Sequence, residues 1–196
     1  MDKISFQGKS QLFFDPNMYK KLQNKTSTTY RHVSDEIPRE IQNFTTFSTT
    51  TPNSDVVLYM GNEKSGIIRN IPLFDTNLDP LENITLRNLT HQADELIKTA
   101  KDKLTVWIIG GDKIKGENGK KTVKTVNDIA ETLCDREDVD GNILSGAKDK
   151  VYNVVFRQAG GKLDVVIGNN IKPANIETEE LAKHFDIVEL SNVIAG

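Results

Sequence analysis

The side chains in this sequence that most readily support catalysis are one cysteine and three histidines in a chain of 196 residues. They are Cys134, His32, His91 and His184. A cysteine nucleophile needs a neighbouring base or positive charge that lowers the pKa of its thiol. Cys134 is followed by Asp135, whose carboxylate acts in the opposite direction, and no spacing motif pairs a histidine with it. We therefore predict a semi-buried structural role for Cys134 and a solvent-exposed position for each histidine.

Two stretches have the outline of ligand-binding loops but lack required groups. Gly119-Lys120 precedes a predicted helix, yet the next residue is Lys121, where a phosphate-binding loop needs Ser or Thr. Asp138–Gly141 has the acidic spacing of a calcium loop, but its first ligand position is Arg136. We interpret Asp138–Gly141 as a turn. The sequence predicts no nucleotide site, no metal site and no cofactor.

The charge balance excludes several further classes of function. Lys and Arg together number 25 and Asp and Glu 28, so the formal net charge is −3. Such balance gives no general attraction to nucleic acid or to an anionic membrane. No apolar run approaches the roughly 20 residues that span a bilayer. The first residues lack the apolar stretch of a signal peptide, so we expect a cytoplasmic protein, without an intrachain disulfide.

Hydrophobic periodicity predicts strands and helices in mixed order. Continuous apolar runs predict strands at 56–60 and 104–109. Asp79-Pro80 is a typical helix start, and the apolar residues that follow at helical spacing to about residue 102 include Leu81 and Ile84. Trp107, within the second strand, is expected in the core. Further elements are predicted as a strand from Gly66 to Leu73, a helix at 122–135, a hairpin of 151–157 and 162–167, a helix at 178–184 and a strand at 186–190.

This pattern predicts an α/β (α+β) fold, a layered sandwich of a mixed β-sheet with helices. We assign residues 1–45 to an N-terminal arm and polar connection, and residues 46–196 to the α/β domain. Within residues 1–45 we predict that residues 4–14 form a strand or an ordered arm and that a short helix begins at Asp15-Pro16.

The stretch from Thr105 to Ile167 resembles the second half of the CheD family of chemoreceptor glutamine deamidases. The motifs that carry the resemblance are a strand that ends in Gly110-Gly111, a helix with Asn127, then Ser145-Gly146, Lys150 and a hairpin around Gly160-Gly161. Upstream, the strand at 56–60, the strand from Gly66 and the long helix after Pro80 follow the family's order. The resemblance implies a CheD-like layered fold, which cytotoxic-necrotizing-factor-like deamidases share.

The resemblance also implies where the family's catalytic groups would lie. In that family a cysteine thiolate attacks a glutamine side chain and a histidine acts as base. The cysteine position falls at Ser54 or Asp55, and the histidine position at or beside Arg69. The family's threonine position falls at Ser48 or Thr49. An arginine does not act as a general base near neutral pH, and an unactivated serine hydroxyl is a poor nucleophile.

These positions favour a catalytically degenerate CheD-like domain, related to bacterial chemotaxis proteins, that acts as a protein-binding or scaffold module. It would have a protein partner and bind neither nucleic acid nor membrane. An ion pair between Asp55 and Arg69 that closes the pocket would support this hypothesis. A second hypothesis is a hydrolase or amidase in which Ser54 or Asp55 meets a repositioned base such as His32.

A third hypothesis is an unrelated soluble α/β protein with coincidental glycine matches. It is expected if the strands that follow Gly66, Leu104 and Val151 do not share one sheet.

Overall fold

The computed structural model describes residues 10–25, 45–50, 55–148, 153–159, 162–168, 178–191 and 193–195. The strands are β1 (Ser10–Phe14), β2 (Thr45–Thr50), β3 (Asp55–Gly61), β4 (Gly66–Pro72), β5 (Leu104–Asp112), β6 (Val139–Ala147), β7 (Asn153–Ala159), β8 (Lys162–Ile167), β9 (Phe185–Glu189) and β10 (Val193–Ala195). The helices are α1 (Pro16–Lys25), α2 (Ile84–Thr99), α3 (Glu117–Ile129) and α4 (Thr178–Leu181). A 3₁₀ turn, Pro80–Glu82, precedes α2, and a π-helical turn, Ala130–Cys134, follows α3.

The strands form two mixed five-stranded sheets. Sheet I has the order β4-β3-β5-β6-β9, and sheet II has the order β10-β1-β8-β7-β2. In sheet I only β5 and β6 run parallel, whereas in sheet II β1 runs parallel to both of its neighbours. The remaining pairs are antiparallel, including the predicted hairpin of β7 and β8, which is confirmed.

The two sheets pack face to face, with helices on both outer faces. Side chains of α2 and α3 cover the outer face of sheet I, and α1 packs through Met18 and Tyr19 on the outer face of sheet II. Between the sheets lie large apolar side chains that include Trp107 and Phe156, both fully buried. The predicted layered α+β sandwich is confirmed, with two sheets where the sequence suggested one.

Strand β3 shows why its sequence is apolar at nearly every position. Val56 and Leu58 face the helices, while Val57 and Tyr59 face sheet II. Both faces of the strand are covered, so alternation between apolar and polar residues is lost. The same reasoning applies to β5, whose residue Trp107 has the predicted core position.

The N-terminal region is part of the sandwich. Strand β1 lies between β10 and β8, so residues 10–14 belong to sheet II together with these two strands from the C-terminal part of the chain. Asp15 caps α1 as predicted, since its Oδ1 accepts the N–H groups of Asn17 at 2.8 Å and Met18 at 3.0 Å. Strand β2, a Thr-rich segment in which the sequence pattern predicts no strand, pairs with β7 at the edge of sheet II. A boundary at residue 45 therefore does not separate an arm from a domain.

Two further expectations are corrected. Asp140 and Gly141, predicted in a turn, lie in β6, which pairs in parallel with β5 from its first residue, Val139. The strands that follow Gly66 and Leu104 share sheet I, but the strand predicted to follow Val151, β7, lies in sheet II. The three strands therefore do not share one sheet, which is the arrangement expected of an unrelated α/β protein.

Sheet I defines two ends of the molecule. At the upper end β3 begins at Asp55, β4 ends at Pro72, and β5 and β6 end at Asp112 and Ala147. At the lower end the chain turns from β3 to β4, and β5 begins. Helix α2 starts after β4 and runs to the lower end, where Asn62 Nδ2 donates to the Leu96 carbonyl at 2.7 Å.

Candidate functional site

The five positions suggested by the family resemblance are only partly described by the structure. Ser54 lies outside the described residues, as does His32, the base considered for it. Ser48 and Thr49 lie in β2, opposite Val155 and Val154 of β7. Asp55 begins β3 and Arg69 lies within β4. The geometry therefore bears on Asp55 and Arg69.

Asp55 and Arg69 lie on opposite faces of sheet I. Arg69 is paired with Leu58 and so faces the helices, where its Nη1 donates to Gln92 Oε1 at 3.2 Å. Asp55 is three residues from Leu58 and, by strand alternation, faces sheet II with Val57. The expected ion pair between Asp55 and Arg69 is therefore wrong, and the two side chains do not form one reaction site.

Cys134 ends the π-helical turn after α3. Burial raises the pKa of its thiol to about 12, and the nearby carboxylates of Glu189 and Asp135 act in the same direction. Its side chain lies over β6, because a Cβ at Gly141 would be only 2.7 Å from its Sγ. The predicted semi-buried position is confirmed. A thiol whose pKa is raised in this way stays protonated near neutral pH and is a poor nucleophile.

The two described histidines lie on other elements than Cys134: His91 is on α2, and His184 lies between α4 and β9. His91 is exposed on α2, as predicted. His184 is half-buried instead of exposed, and its backbone carbonyl accepts the Lys148 N–H at 3.0 Å before β9. In the described part of the chain, His, Cys, Asp and Glu form no cluster that could hold a metal ion. No helix within the same ranges is long and apolar enough to cross a membrane.

A cleft of about 90 Å³ opens at the lower end. Its floor is formed by three nearly buried polar side chains, Tyr59, Asn62 and Gln158. The Tyr59 hydroxyl donates to Gln158 Oε1 at 3.4 Å, and Gln158 Nε2 donates to the Asn62 carbonyl. Burial raises the pKa of Tyr59 well above its ordinary value, so the phenol is neutral. Small-molecule sites usually measure about 300–1,000 Å³, so this cleft is the size for a single side chain.

Charged residues surround the mouth of this cleft, which we call the lysine-rimmed cleft. Its rim carries Lys101, Lys103, Lys162, Glu63 and Asp102. The carboxylate of Glu63 accepts the backbone N–H of Lys101 at 3.2 Å, and that of Asp102 accepts the N–H of Lys103 at 2.8 Å. The rim thus carries three lysines and two carboxylates, and the Lys103 ammonium lies 3.7 Å from a further carboxylate, that of Asp140.

The upper end carries an exposed apolar turn, Asp79–Ile84, which we call the capped turn. Leu81 is 84% exposed and Ile84 is 65% exposed. Asp79 Oδ1 accepts the Leu81 N–H at 2.9 Å, and Asn83 Oδ1 accepts the N–H of Thr85 at 2.9 Å. Single exposed apolar residues are common, but here two caps fix the backbone that carries a pair of them. The turn therefore presents a preformed apolar surface.

Replacing Asn83 with alanine tests the rigidity of the capped turn. The Asn83 side chain accepts hydrogen bonds from the N–H groups of Thr85 and Leu86, which α2 cannot satisfy internally. We expect the free energy of unfolding to fall by about 1 kcal/mol, measured by urea denaturation. Asn88→Ala, at an exposed position within α2, is the control and should keep the free energy of unfolding or raise it by up to about 0.7 kcal/mol, because alanine is the better helix former; equal losses would contradict the capping role.

The sequence did not reveal the capped turn, because Leu81 and Ile84 fit the helical spacing of the buried residues that follow. In the structure the buried residues of α2 are Leu86, Leu89, Gln92, Ala93 and Leu96. Leu81 precedes the α-helix in the 3₁₀ turn, and Ile84 is the first residue of α2. The two cap residues, Asp79 and Asn83, were the available signal for this change of helical phase.

No protein-family model matches the chain, and a search of curated proteins finds no match.

Proposed function

We propose that this chain is a non-catalytic protein-binding module whose contact surface is the capped turn. The observation that carries the proposal is the exposure of Leu81 and Ile84 on a turn fixed by Asp79 and Asn83. A turn whose backbone is already fixed loses little backbone freedom on binding, so more of the burial of its apolar side chains contributes to affinity. A protein surface with a matching apolar depression is the partner that fits this turn.

The chemistry of the described residues supports a binding role over thiol catalysis. The Cys134 thiol has a raised pKa, and Arg69 stands where the family resemblance would place a base. Arg69 is also engaged with Gln92 on α2. A glutamine deamidase of the CheD type needs a thiolate beside a base. Neither group is supplied by these residues.

The binding role does not depend on a CheD-like origin. The order of β5, α3, β6 and the β7–β8 hairpin supports such a scaffold. The separation of β7 from β4 and β5 favours an unrelated α/β protein. The capped turn has the same exposed residues whether the chain is CheD-like or an unrelated α/β protein.

The absence of deamidase activity is tested by ammonia release. The purified chain is incubated with a chemoreceptor fragment that carries accessible glutamines, and ammonia is measured against a blank without protein. We expect the wild type and Ser54→Ala to match the blank, because the chain offers no thiolate–base pair in its described part. Turnover that Ser54→Ala abolishes would contradict the proposal.

The reactivity of Cys134 is a separate test of its environment. A thiol pKa of about 12 leaves roughly a thousandfold less thiolate at pH 8 than an ordinary cysteine has. We expect the native protein to react with a thiol-specific disulfide reagent at least about a hundredfold more slowly than the urea-unfolded protein. Equal rates in the two states would show that the thiol is accessible and ionisable in the fold.

The binding role is tested with the tagged chain in extract from its own cells. Size-exclusion chromatography should place the wild type in a complex heavier than the isolated chain and should shift Leu81→Asp to the isolated position. Lys20→Glu, on the exposed side of α1, is the control for added negative charge and should behave as the wild type. A profile that Leu81→Asp leaves unchanged would contradict the proposed surface.

A further inference from the structure

We infer that the partner of the capped turn is a second copy of this chain, and that two copies pair about a two-fold axis at their upper ends. Each capped turn then contacts residues 112–121 of the other copy, the loop after β5 and the start of α3, which we call the basic segment. This inference rests on the proposed function, because it uses the same turn as the contact surface. It adds the identity of the partner and the segment that the turn contacts.

The large apolar side chains that are exposed in the described ranges all lie at the upper end. Leu81 and Ile84 belong to the capped turn, and Ile114, which is 36% exposed, lies in the basic segment two residues after the end of β5. The Ile114 N–H donates to Asp186 Oδ2 at 2.9 Å, which ties this loop to β9. Exposed apolar side chains gathered at one end of a protein are typical of a contact surface for protein.

Helices α2 and α3 place the capped turn and the basic segment next to each other. Both helices start at the upper end and run to the lower end on the outer face of sheet I, since α3 joins the end of β5 to the start of β6. Before α2 the Phe74 N–H donates to Thr125 Oγ1 on α3 at 2.7 Å, and lower down Arg136 Nη1 donates to Asp94 Oδ1 on α2 at 2.7 Å. The two segments are therefore neighbouring parts of one surface.

The capped turn is the acidic part of this surface. Asp75, Asp79 and Glu82 are exposed in or beside the turn. Residues 70–86 contain no Lys or Arg, and the next basic residue is the exposed Arg87. None of these four charged groups forms an ion pair with a described residue. Even with Arg87 counted, two carboxylates are in excess, so the turn favours a cationic partner.

The basic segment carries the opposite excess. It contains four lysines and two carboxylates: Lys113, Lys115, Lys120, Lys121, Asp112 and Glu117. The Lys120 ammonium lies 3.9 Å from the Glu117 carboxylate, whereas the other three lysines form no ion pair with a described carboxylate. The neighbouring Asp186 lies 3.5 Å from the Lys148 ammonium, so this pair leaves the balance unchanged. Two positive charges therefore remain in excess beside the acidic turn.

A two-fold axis between the two segments satisfies both excesses at once. It places the acidic turn of each copy against the basic segment of the other and brings the exposed apolar side chains of both copies together. Such an isologous contact occupies the upper end of both copies, so association stops at the dimer. A contact of turn against turn would instead oppose like charges. Because the charges are few and exposed, the dimer should be weak and salt-sensitive.

The test is sedimentation of the purified chain from micromolar to millimolar concentration. We expect the average mass of the wild type to rise toward twice the chain mass, and to rise less at high salt. Leu81→Asp, which puts a charge in the apolar part of the contact, and Lys115→Glu, which reverses a charge of the basic segment, should each weaken dimerisation at least about tenfold. Lys20→Glu, on α1, should dimerise as the wild type does. Thermal melting checks that these exposed substitutions leave the fold intact.

Mixing two charge-reversed variants tests whether the turn of one copy meets the basic segment of the other. Glu82→Lys and Lys115→Glu should each be monomeric at a concentration where the wild type is dimeric. In a mixed dimer, one contact keeps both native charges, and in the other contact both charges are reversed and so remain opposite. The mixture should therefore form dimers at that concentration.

The outcomes separate this inference from the proposed function. A wild type that remains monomeric, a mass that rises beyond the dimer, dimerisation that Leu81→Asp or Lys115→Glu leaves unchanged, or a mixture that remains monomeric would overturn the inference. If the purified chain is monomeric but Leu81→Asp still loses its complex in cell extract, the inference fails while the proposed function stands.

Discussion

Replacing Trp107 with alanine is expected to lower the free energy of unfolding by about 3–5 kcal/mol. The Trp107 side chain is fully buried between the two sheets, and its Nε1 donates a hydrogen bond to Ser10 Oγ at 3.2 Å. Its removal would leave a cavity that the neighbouring side chains fill only in part, and would also leave the Ser10 hydroxyl without this donor. Urea denaturation followed by far-ultraviolet circular dichroism measures the loss.

Ser10→Ala is the matched control, because it removes the hydrogen bond and keeps the ring. We expect it to lower the free energy of unfolding by about 1 kcal/mol. The difference between the two variants reports the packing of the indole between sheet I and sheet II. If Trp107→Ala were no more destabilising than Ser10→Ala, the face-to-face arrangement of the sheets would be contradicted.

Replacing Gly61 with alanine is expected to lower the free energy of unfolding by about 3 kcal/mol. A Cβ at this position would lie within 3 Å of the Tyr59 hydroxyl, so the ring must move. The ring stacks on Phe156 with centroids 5.1 Å apart and its hydroxyl donates to Gln158, both on β7. Any movement that admits the methyl group therefore disturbs contacts between the sheets. Urea denaturation with unchanged far-ultraviolet signal in the native state measures the effect.

Two further variants separate the steric cause from a general effect of losing glycine. Tyr59→Leu removes the ring that collides, so the combined Tyr59→Leu and Gly61→Ala variant should lose at least about 1 kcal/mol less than the sum of the single losses. Gly116→Ala has no atom within 4 Å of its new Cβ, so its loss should come from the backbone conformation alone (φ 87°, ψ −170°), which costs a non-glycine residue about 1–3 kcal/mol. Additive losses in the double variant would show that Tyr59 is not the obstacle.

The individual strands and helices could be predicted because the pattern of apolar residues in each fits a single environment, such as burial on both faces of a strand. Strands β3 and β5 are apolar on both faces, and the sequences of β7 and β8 are two runs rich in β-branched residues on either side of Gly160-Gly161. The division of the strands between two sheets could not be predicted from the same pattern. It depends on pairings between distant segments, such as Ser10 with Leu163 in β1 and β8. Strand β2 was not predicted because its sequence is polar and shows no strand pattern. Only the structure shows its backbone pairing with β7.

The candidate site was harder to predict from the sequence than the fold was. The family resemblance indicated Asp55 and Arg69, but one residue of register decides which face of a strand a side chain occupies. The structure places these two side chains on opposite faces of sheet I. The exposure of Leu81 depended on a 3₁₀ turn before α2, which changes the helical phase that the sequence spacing implied.

The central claim is that the capped turn is a contact surface for protein. The exposed pair Leu81 and Ile84, the two caps and the surrounding carboxylates all belong to this turn. A surface of this kind should become buried in the complexes that the chain forms in its own cells, while the exposed side of α1 should stay in solvent.

Photo-crosslinking from position 81 measures this most directly. A photoreactive amino acid is placed at position 81 in one sample and at the exposed position of Lys20 in another, and both are irradiated in extract from the protein's own cells. The account predicts discrete covalent adducts from position 81 that are absent from position 20, with an adduct of twice the chain mass where the partner is a second copy. No adduct from position 81, or the same adducts from both positions, would contradict it.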